Sequence, residues 1–191
     1  MFEAEIDAGV LKECIEAIIA VVDEGKLRIS AEGLNLRAVD PSNVAMVTFQ
    51  LQKDAFDDYQ FSNGEGDGEG LEIGMDFQKL LGILGIGGKE QVRLSIDEQA
   101  QKLYTRMGSL AYTVNLLEPS SLRKEPKVPE LEFPVQVVMD IEDFRRTIRA
   151  AEKVGEYILL GVDGDEFYME VEGEMDKLRL GLRKEQLIHL T

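Results

Sequence analysis

Residues that could support catalysis are few in this chain, and their spacing fits no catalytic arrangement. The sequence contains one cysteine, Cys14, and one histidine, His189, among its 191 residues. Cys14 lies on the apolar side of a predicted helix, where a buried structural thiol is far more common than a nucleophile. His189 has no second histidine or cysteine beside it to share a metal, and it completes no catalytic triad. We therefore expect no catalytic residue, no metal ion and no cofactor.

Two glycine-rich segments resemble ligand-binding loops but lack residues that such loops require. In GILGIGGKE, residues 82–90, Ile83 stands where a phosphate-binding loop needs glycine, and Glu90 stands where it needs serine or threonine. We interpret these glycines as the end of a helix. The segment SNGEGDGEG, residues 62–70, is similar to a calcium loop in composition, but its ligands are out of register, and we predict a mobile acidic loop. Both results favour a binding or structural protein over an enzyme.

The charge of the chain is unevenly placed. A formal net charge of −16 disfavours binding to nucleic acid when it is taken alone, because phosphate contacts need a basic surface. A ligand responds to the local face, however, and the predicted helix in IEDFRRTIRAAEKV carries basic residues away from its apolar stripe. The candidate DNA-facing residues on this helix and on two earlier helices are Lys12, Lys79, Arg145, Arg146, Arg149 and Lys153. Two interpretations stay open: a solvated helix face, or a surface that contacts phosphates without reading bases.

The composition is typical of a soluble globular protein, with 44% hydrophobic and 30% charged residues. No stretch of 18 apolar residues is present, so we expect no membrane span. The first ten residues, MFEAEIDAGV, carry acids where a secretory signal needs basic residues. These features predict an intracellular protein.

Hydrophobic periodicity predicts two helices and several strands before a proline-rich linker. Helical spacing covers GVLKECIEAIIAVV, and a second helix opens near Asp76. The segment 118–134 holds four of the five prolines and is predicted to be extended. One predicted strand, 44–51, lacks a clearly polar face, which raises the question of what covers its second side. Strands are predicted at about residues 26–30, 34–39, 44–51, 91–96, 100–106 and 109–117.

The pattern restarts after the linker, 133 residues further along the chain. At this offset Asp7 matches Asp140, and Leu34 matches Phe167. A period that is kept across a helix and strands indicates a duplicated domain. The second copy stops early, since Thr191 corresponds to a point near residue 58 of the first copy. We therefore expect a C-terminally truncated chain and a complete form of about 250 residues.

Three segments, in order, give this chain a resemblance to archaeal members of the proliferating cell nuclear antigen family. LRAVDPSNVAMV resembles the family's front loop, LLEPSSLRKEPKVPELEFP its interdomain connecting loop, and EDFRRTIRAA the first helix of its second domain. The resemblance implies an α+β DNA-clamp fold, a duplicated domain with outer antiparallel sheets and inner helices. The implied parts are a first clamp domain at 1–117, a connecting loop at 118–134 and an incomplete second domain at 135–191.

The same resemblance implies a DNA polymerase sliding clamp, which is a processivity factor and not an enzyme. Members of this family are homotrimeric rings that surround double-stranded DNA without sequence specificity. Their partners include DNA polymerase, flap nuclease, ligase and the clamp loader, and they insert a short hydrophobic-aromatic motif, the PIP box, into a pocket beneath the connecting loop. The implied pocket residues are Val44, Met46, Val128 and Phe133, so the open side of strand 44–51 would meet a partner peptide.

The subunit contact implied by the resemblance pairs two edge strands, SLAYTVNLL at 109–117 and MDKLRLGLR at 175–183. Both segments alternate apolar and polar residues, and an unpaired strand edge with apolar neighbours favours pairing with another chain. The candidate interface residues are Leu110, Tyr112, Val114, Leu116, Leu178, Leu180 and Leu182.

Two other functions stay open from the sequence. The first is a naturally short clamp-like adaptor or decoy that binds PIP-box peptides without encircling DNA. The second is an unrelated acidic enzyme, which would need a concave pocket that holds several titratable groups. The expected location is the cytoplasm or nucleoid for an archaeal chain and the nucleus for a eukaryotic one, with no membrane partner.

Overall fold

A computed structural model describes residues 1–62, 70–87, 90–128 and 130–191, which fall into two compact units, Met1–Val128 and Pro129–Thr191. The acidic loop predicted at 62–70 lies outside the described residues except at its two ends. Gly88 and Lys89 of the second glycine segment also lie outside them. None of the helices within the described ranges is long and apolar enough to cross a bilayer.

The first unit consists of two antiparallel sheets and two helices. Its elements are β1 (Phe2–Asp7), α1 (Ala8–Ile19), β2 (Glu24–Ser30), β3 (Gly33–Val39), β4 (Met46–Gln52), β5 (Asp58–Phe61), β6 (Leu71–Asp76), α2 (Phe77–Gly87), β7 (Gln91–Asp97), β8 (Lys102–Met107) and β9 (Leu110–Asn115). One sheet has the strand order β5-β1-β7-β8-β9, and the other has the order β4-β3-β2-β6. The helices α1 and α2 pack against each other.

The two helices of the first unit bury the faces that the sequence indicates. Asp7 caps α1, because its carboxylate accepts the backbone N–H of Val10 at 3.0 Å. Leu11, Ile15 and Ile18 follow at helical spacing and are buried. They join the inward residues of both sheets in one hydrophobic cluster.

The strand predicted at 44–51 begins later, at Met46, and it does have a polar side. Val47, Phe49 and Leu51 turn toward the core, whereas Met46 and Thr48 are exposed. This strand, β4, lies at the edge of its sheet. The part of the prediction that started the strand at residue 44 was wrong, because the turn before the strand extends further than its turn-forming residues suggest.

The second unit repeats the order of the first six elements of the first unit. Its elements are β10 (Val137–Val138), α3 (Ile141–Ala151), β11 (Leu159–Asp163), β12 (Glu166–Glu172), β13 (Lys177–Arg183) and β14 (His189–Leu190). The strands β11, β12 and β13 form one antiparallel sheet, and β10 pairs with β14.

The duplication predicted from the sequence is confirmed element by element. The order β1-α1-β2-β3-β4-β5 recurs as β10-α3-β11-β12-β13-β14. Asp140 caps α3 by accepting the N–H of Glu142 at 2.8 Å, as Asp7 caps α1. Leu34 and its counterpart Phe167 are both buried, at 5% and 6% exposure. The same local rules therefore fold both copies.

The predicted boundaries at residues 117 and 134 stay a prediction. After β9 the chain makes a short 3-10 turn at Pro119–Ser121, and the described residues from there to β10 form no helix or strand.

Candidate partner-binding and nucleic-acid surfaces

The loop between β3 and β4, residues 40–45, is organised around the carboxylate of Asp40. This carboxylate accepts the backbone N–H groups of Ser42, Val44 and Ala45 at 3.0, 2.7 and 2.7 Å. Asn43 takes the left-handed conformation, with φ of 57°, that the tight turn needs. The N–H of Ala45 and the other amides stabilise the ionised carboxylate against its partial desolvation, so the pKa of Asp40 lies below its usual value. The loop is therefore ordered from within.

Apolar side chains project from this ordered loop into solvent. Val44 is 87% exposed, and Met46, at the start of β4, is 39% exposed. Val128, at the end of the first unit, is 51% exposed. Three of the four predicted pocket residues thus belong to the first unit and are accessible, which an apolar docking surface requires.

Phe133, the fourth predicted pocket residue, belongs to the second unit. Its side chain is 77% exposed, and it lines an apolar cavity of about 850 Å³ within that unit. Val137, Ile141, Phe144 and Leu160 form much of the remaining wall. The structure therefore associates Phe133 with the apolar surface of α3, β10 and β11.

The connecting segment is tied to the first unit at two points that the sequence did not predict. The guanidinium of Arg123 donates to the backbone oxygens of Asp40 and Pro41, each at 3.2 Å, and to Oδ1 of Asn43 at 3.3 Å. Two residues further along, Glu125 forms ion pairs with two cations of the β4-β3-β2-β6 sheet. Its partners are Arg37, at 3.2 Å, and Arg28, at 3.9 Å.

A cleft of about 450 Å³ lies beside the tied segment. Residues 121–124 form one wall, and the opposite walls come from residues 21–26 and 37–39. The walls lie about 80 to 100 residues apart in the sequence, so no local pattern could have predicted the cleft.

The six predicted DNA-facing residues differ in how far their charge is neutralised. Lys12 lies 3.7 Å from Glu16, Lys79 lies 2.7 Å from Asp76, Arg145 lies 3.8 Å from Glu142, and Arg146 lies 2.9 Å from Asp143. Arg149 and Lys153 form no ion pair within the described part of the chain, and both are exposed, Arg149 on α3 and Lys153 in the turn just after it.

Asp76 and Lys79 perturb each other at the start of α2. Desolvation alone would raise the pKa of Asp76, but hydrogen bonds from the Lys79 ammonium and backbone N–H outweigh it and lower that pKa. The same hydrogen bond raises the pKa of Lys79. The charge of Lys79 is therefore partly neutralised by the neighbouring carboxylate of Asp76.

The two predicted interface strands are edge strands of their sheets among the described residues. β9 pairs only with β8, and β13 pairs only with β12. The N–H of Leu116 donates to the oxygen of Gln101, and the N–H of Lys184 donates to the oxygen of Asp165. Because backbone groups alternate in direction along a strand, the even-numbered residues of both strands bond inward and the odd-numbered residues point to the open edge.

The predicted interface side chains differ in how far they are exposed. Val114, Leu116 and Leu182 are buried in their own units, at 4%, 8% and 7% exposure, and Tyr112, Leu178 and Leu180 are half-buried. Of the predicted side chains, Leu110 is exposed, at 41%. The three buried side chains serve the core of their own units, and the subunit contact through these strands stays a prediction, in which backbone groups of the odd-numbered residues are the ones free to pair.

Metal-ligating side chains do not come together among the described residues. These residues contain no cluster of three histidine, cysteine or acidic side chains that could hold a metal ion. Cys14 packs against the core of the first unit, and burial raises the pKa of its thiol, which disfavours the reactive thiolate. His189 lies on β14, paired with Val138.

Comparison with known proteins agrees with this architecture. A family model described as proliferating cell nuclear antigen, N-terminal domain, matches residues 1–109. DNA polymerase sliding clamps of Methanococcoides burtonii and Methanosarcina acetivorans are 42% and 44% identical over 191 residues, which is all of this chain and 75% of each relative. A solved structure, the C-terminal region of FEN-1 bound to A. fulgidus PCNA, matches with a TM-score of 0.90 and 33% identity, over 100% of this chain and 76% of that chain.

A repeated α+β unit with open sheet edges, matched over the whole chain by solved clamps, defines the DNA-clamp fold. The chain belongs to the proliferating cell nuclear antigen family.

Proposed function

We propose that this chain is a DNA polymerase sliding clamp, which holds replication and repair proteins on duplex DNA without catalysing a reaction. The observation that carries the proposal is the family match over 100% of the chain to relatives that are named as sliding clamps. The relatives are named for a clamp that serves DNA polymerase, which supports a scaffold rather than an enzyme. An intracellular location follows from this function: the cytoplasm or nucleoid in an archaeal cell, or the nucleus in a eukaryotic one.

The proposed contact with DNA uses the basic residues of the helices. Arg149 and Lys153 supply the cations that the described acids do not neutralise, while Lys12, Lys79, Arg145 and Arg146 share their charge with acids nearby. Weak, sequence-independent attraction to phosphates is what a sliding protein needs, since tight contacts would oppose movement. The net charge of −16 discourages DNA from binding elsewhere on the surface.

The proposed partner site is the apolar surface at the loop 40–45 and the connecting segment. Val44, Met46 and Val128 supply accessible apolar area, and Phe133 is the candidate from the second unit. A short hydrophobic-aromatic peptide of the PIP type would bury this area. The solved relative bound to the C-terminal region of FEN-1 supports a flap nuclease as one partner, beside polymerase, ligase and clamp loader.

The proposed assembly is a ring of identical subunits, a homotrimer, joined through the open edges of β9 and β13. Pairing of unlike edges is head-to-tail, and it closes a ring when the rotation permits. An adaptor that binds peptides without encircling DNA is less favoured, because the relatives named above are sliding clamps.

Primer extension on a long single-primed template tests the proposed function. With a partner polymerase and clamp loader from a related archaeon, addition of this protein should lengthen the products made in one binding event. Product lengths that stay unchanged over a range of protein concentrations would contradict a processivity role.

A further inference from the structure

Arg123 contacts the loop 40–45 in a way that depends on the shape of its side chain. Its three acceptors are two consecutive backbone oxygens, those of Asp40 and Pro41, and the side-chain oxygen of Asn43. A guanidinium presents five donors in one plane, so it can serve several acceptors at once with little loss of freedom for each bond. A lysine ammonium at this position could not reproduce this planar arrangement.

The loop is thereby braced from two sides. The Asp40 carboxylate accepts three amides inside the loop, and the Arg123 guanidinium holds carbonyl groups of the same loop from outside. Among the described residues, Asp40 and Arg123 form no ion pair with each other: the Asp40 carboxylate accepts backbone amides, and the Arg123 guanidinium donates to uncharged oxygens of the loop. Removal of either brace gives its backbone partners over to water, and the loop loses hydrogen bonds that order it.

The braced loop carries the exposed residues of the proposed peptide site. Val44 donates its backbone N–H to the Asp40 carboxylate, and its side chain is 87% exposed. Met46 follows directly on β4. A surface that is ordered before its partner arrives binds more tightly, because less conformational freedom is lost on association.

Glu125 provides a separate anchor two residues beyond Arg123. Its ion pairs reach Arg28 on β2 and Arg37 on β3, so it touches the sheet and not the loop. This gives the segment a natural control, since one anchor can be changed while the other stays in place.

We propose that Arg123 is a positioning residue of the partner-peptide site, which holds the loop 40–45 in the conformation that binds peptide. The inference rests on the proposed function, because it assumes that Val44 and Met46 contact a partner peptide. Arg123 acts through the loop and does not itself need to touch the peptide. In the free protein it raises the fraction of molecules whose loop is ready to bind.

Binding kinetics with a labelled PIP-type peptide test this role in the wild-type chain and in R123A, R123K and E125Q. When a variant lowers the binding-competent fraction, the association rate falls by that factor and the dissociation rate of the bound state changes little. We expect R123A and R123K to reduce the association rate about tenfold. We expect E125Q to reduce it much less.

Hydrogen exchange at the amides of residues 42, 44 and 45 gives a readout that needs no peptide. Exchange should be faster in R123A and R123K than in the wild type, and unchanged in E125Q, while thermal melting shows that every variant is folded.

Three results would overturn the positioning role: wild-type association by R123A, full rescue by R123K, or equal effects of E125Q and R123A. A faster dissociation with an unchanged association rate would also overturn it, because it indicates direct contact with the peptide. Failure of the wild-type chain to bind the peptide would remove the proposed peptide site, and this inference with it. Primer extension would remain an independent test of the clamp function.

Discussion

At the scale of single residues, a carboxylate that binds backbone amides organises the candidate partner surface. Asp40 has no counter-ion at its carboxylate among the described residues, and its stabilisation comes from the N–H groups of Ala45, Val44 and Ser42. These hydrogen bonds have their full strength only when the carboxylate is ionised. The order of an exposed apolar loop is thus linked to one titration.

The first prediction follows from the sign of that linkage. Because the pKa of Asp40 in the folded protein lies below its ordinary value of 3.8, its stabilising effect is complete above that value and is lost as pH falls through the lower folded value. Asp40→Asn should therefore speed amide exchange at residues 44 and 45 near neutral pH. The wild type and the variant should become alike only in strong acid. A difference that is constant down to the lowest pH at which both fold would contradict the assignment.

The second prediction concerns Met46, whose side chain is 39% exposed at the start of β4. Met46→Asp should weaken binding of a PIP-type peptide by at least about tenfold, because the complex would bury an unpaired charge. Thr48→Asp introduces the same charge two residues along the exposed side of β4 and is the matched control. Calorimetry that finds equal affinities for the parent and Met46→Asp would exclude Met46 from the peptide site.

At the scale of elements, α3 separates its cations into two kinds. Arg145 and Arg146 each pair with an acid one turn earlier, and such exposed pairs contribute about 0.3–0.5 kcal/mol. Arg149 lies in the last turn of the helix, where a positive charge is also favourable for the helix dipole, and Lys153 follows two residues beyond the end of the helix. The free pair is the better candidate for phosphate contacts.

The third prediction compares these two pairs, which carry equal charge. Replacing Arg149 and Lys153 with glutamine should reduce the salt dependence of DNA association by about two in the logarithmic slope. The same replacement of Arg145 and Arg146 should reduce it less, since their acids already compete for them. Identical slopes for the two double variants would show that the basic stripe is a solvated helix face.

The sequence predicts the elements whose pattern is long, and it misses those whose pattern is short or non-local. The helix α1 is predictable because Leu11, Ile15 and Ile18 repeat over several turns. The strand β1 alternates buried Phe2, Ala4 and Ile6, but this signal runs directly into the helix and is not predicted as a strand. Two-residue strands such as β10 and β14 have no period to detect.

The candidate site also has one part that the sequence predicts and one part that it does not. Exposed Val44 and Met46 are found through the family resemblance, and the turn around Asp40 through its turn-forming residues. The Arg123 brace and the Glu125 anchor join residues about 80 to 100 positions apart, and no spacing rule gives such contacts. The alternation of β9 and β13 is visible in the sequence, but it does not tell whether the apolar side faces a core or a partner.

At the scale of the whole molecule, assembly is expected to depend on backbone groups at two open edges. On β9 the N–H groups of Ala111, Thr113 and Asn115 point away from β8, whereas those of even-numbered residues are used within the sheet. On β13 the N–H of Leu180 bonds inward toward β12, so Leu180→Pro would damage the unit itself. A proline substitution that tests an edge must therefore replace a residue whose N–H points to the open side of the sheet.

The fourth prediction uses Thr113, whose side chain is exposed and whose N–H points to the open edge. Thr113→Pro should remove an edge donor and weaken concentration-dependent self-association, while the fold tolerates proline on an edge strand. Thr113→Val keeps the donor and should associate as the parent does. Sedimentation that shows the same association for both variants would exclude the β9 edge from the contact.

Retention on DNA of different topology tests the central claim most directly. A ring that encircles closed circular DNA cannot leave it without opening. On a linear duplex of the same sequence the ring slides off the ends, because no tight contact holds it in place. After loading by a clamp loader, we predict that the protein stays with circular DNA through a high-salt gel filtration and is released when one restriction cut makes that DNA linear. Equal retention on circular and linear DNA, or none on either after loading, would contradict the account.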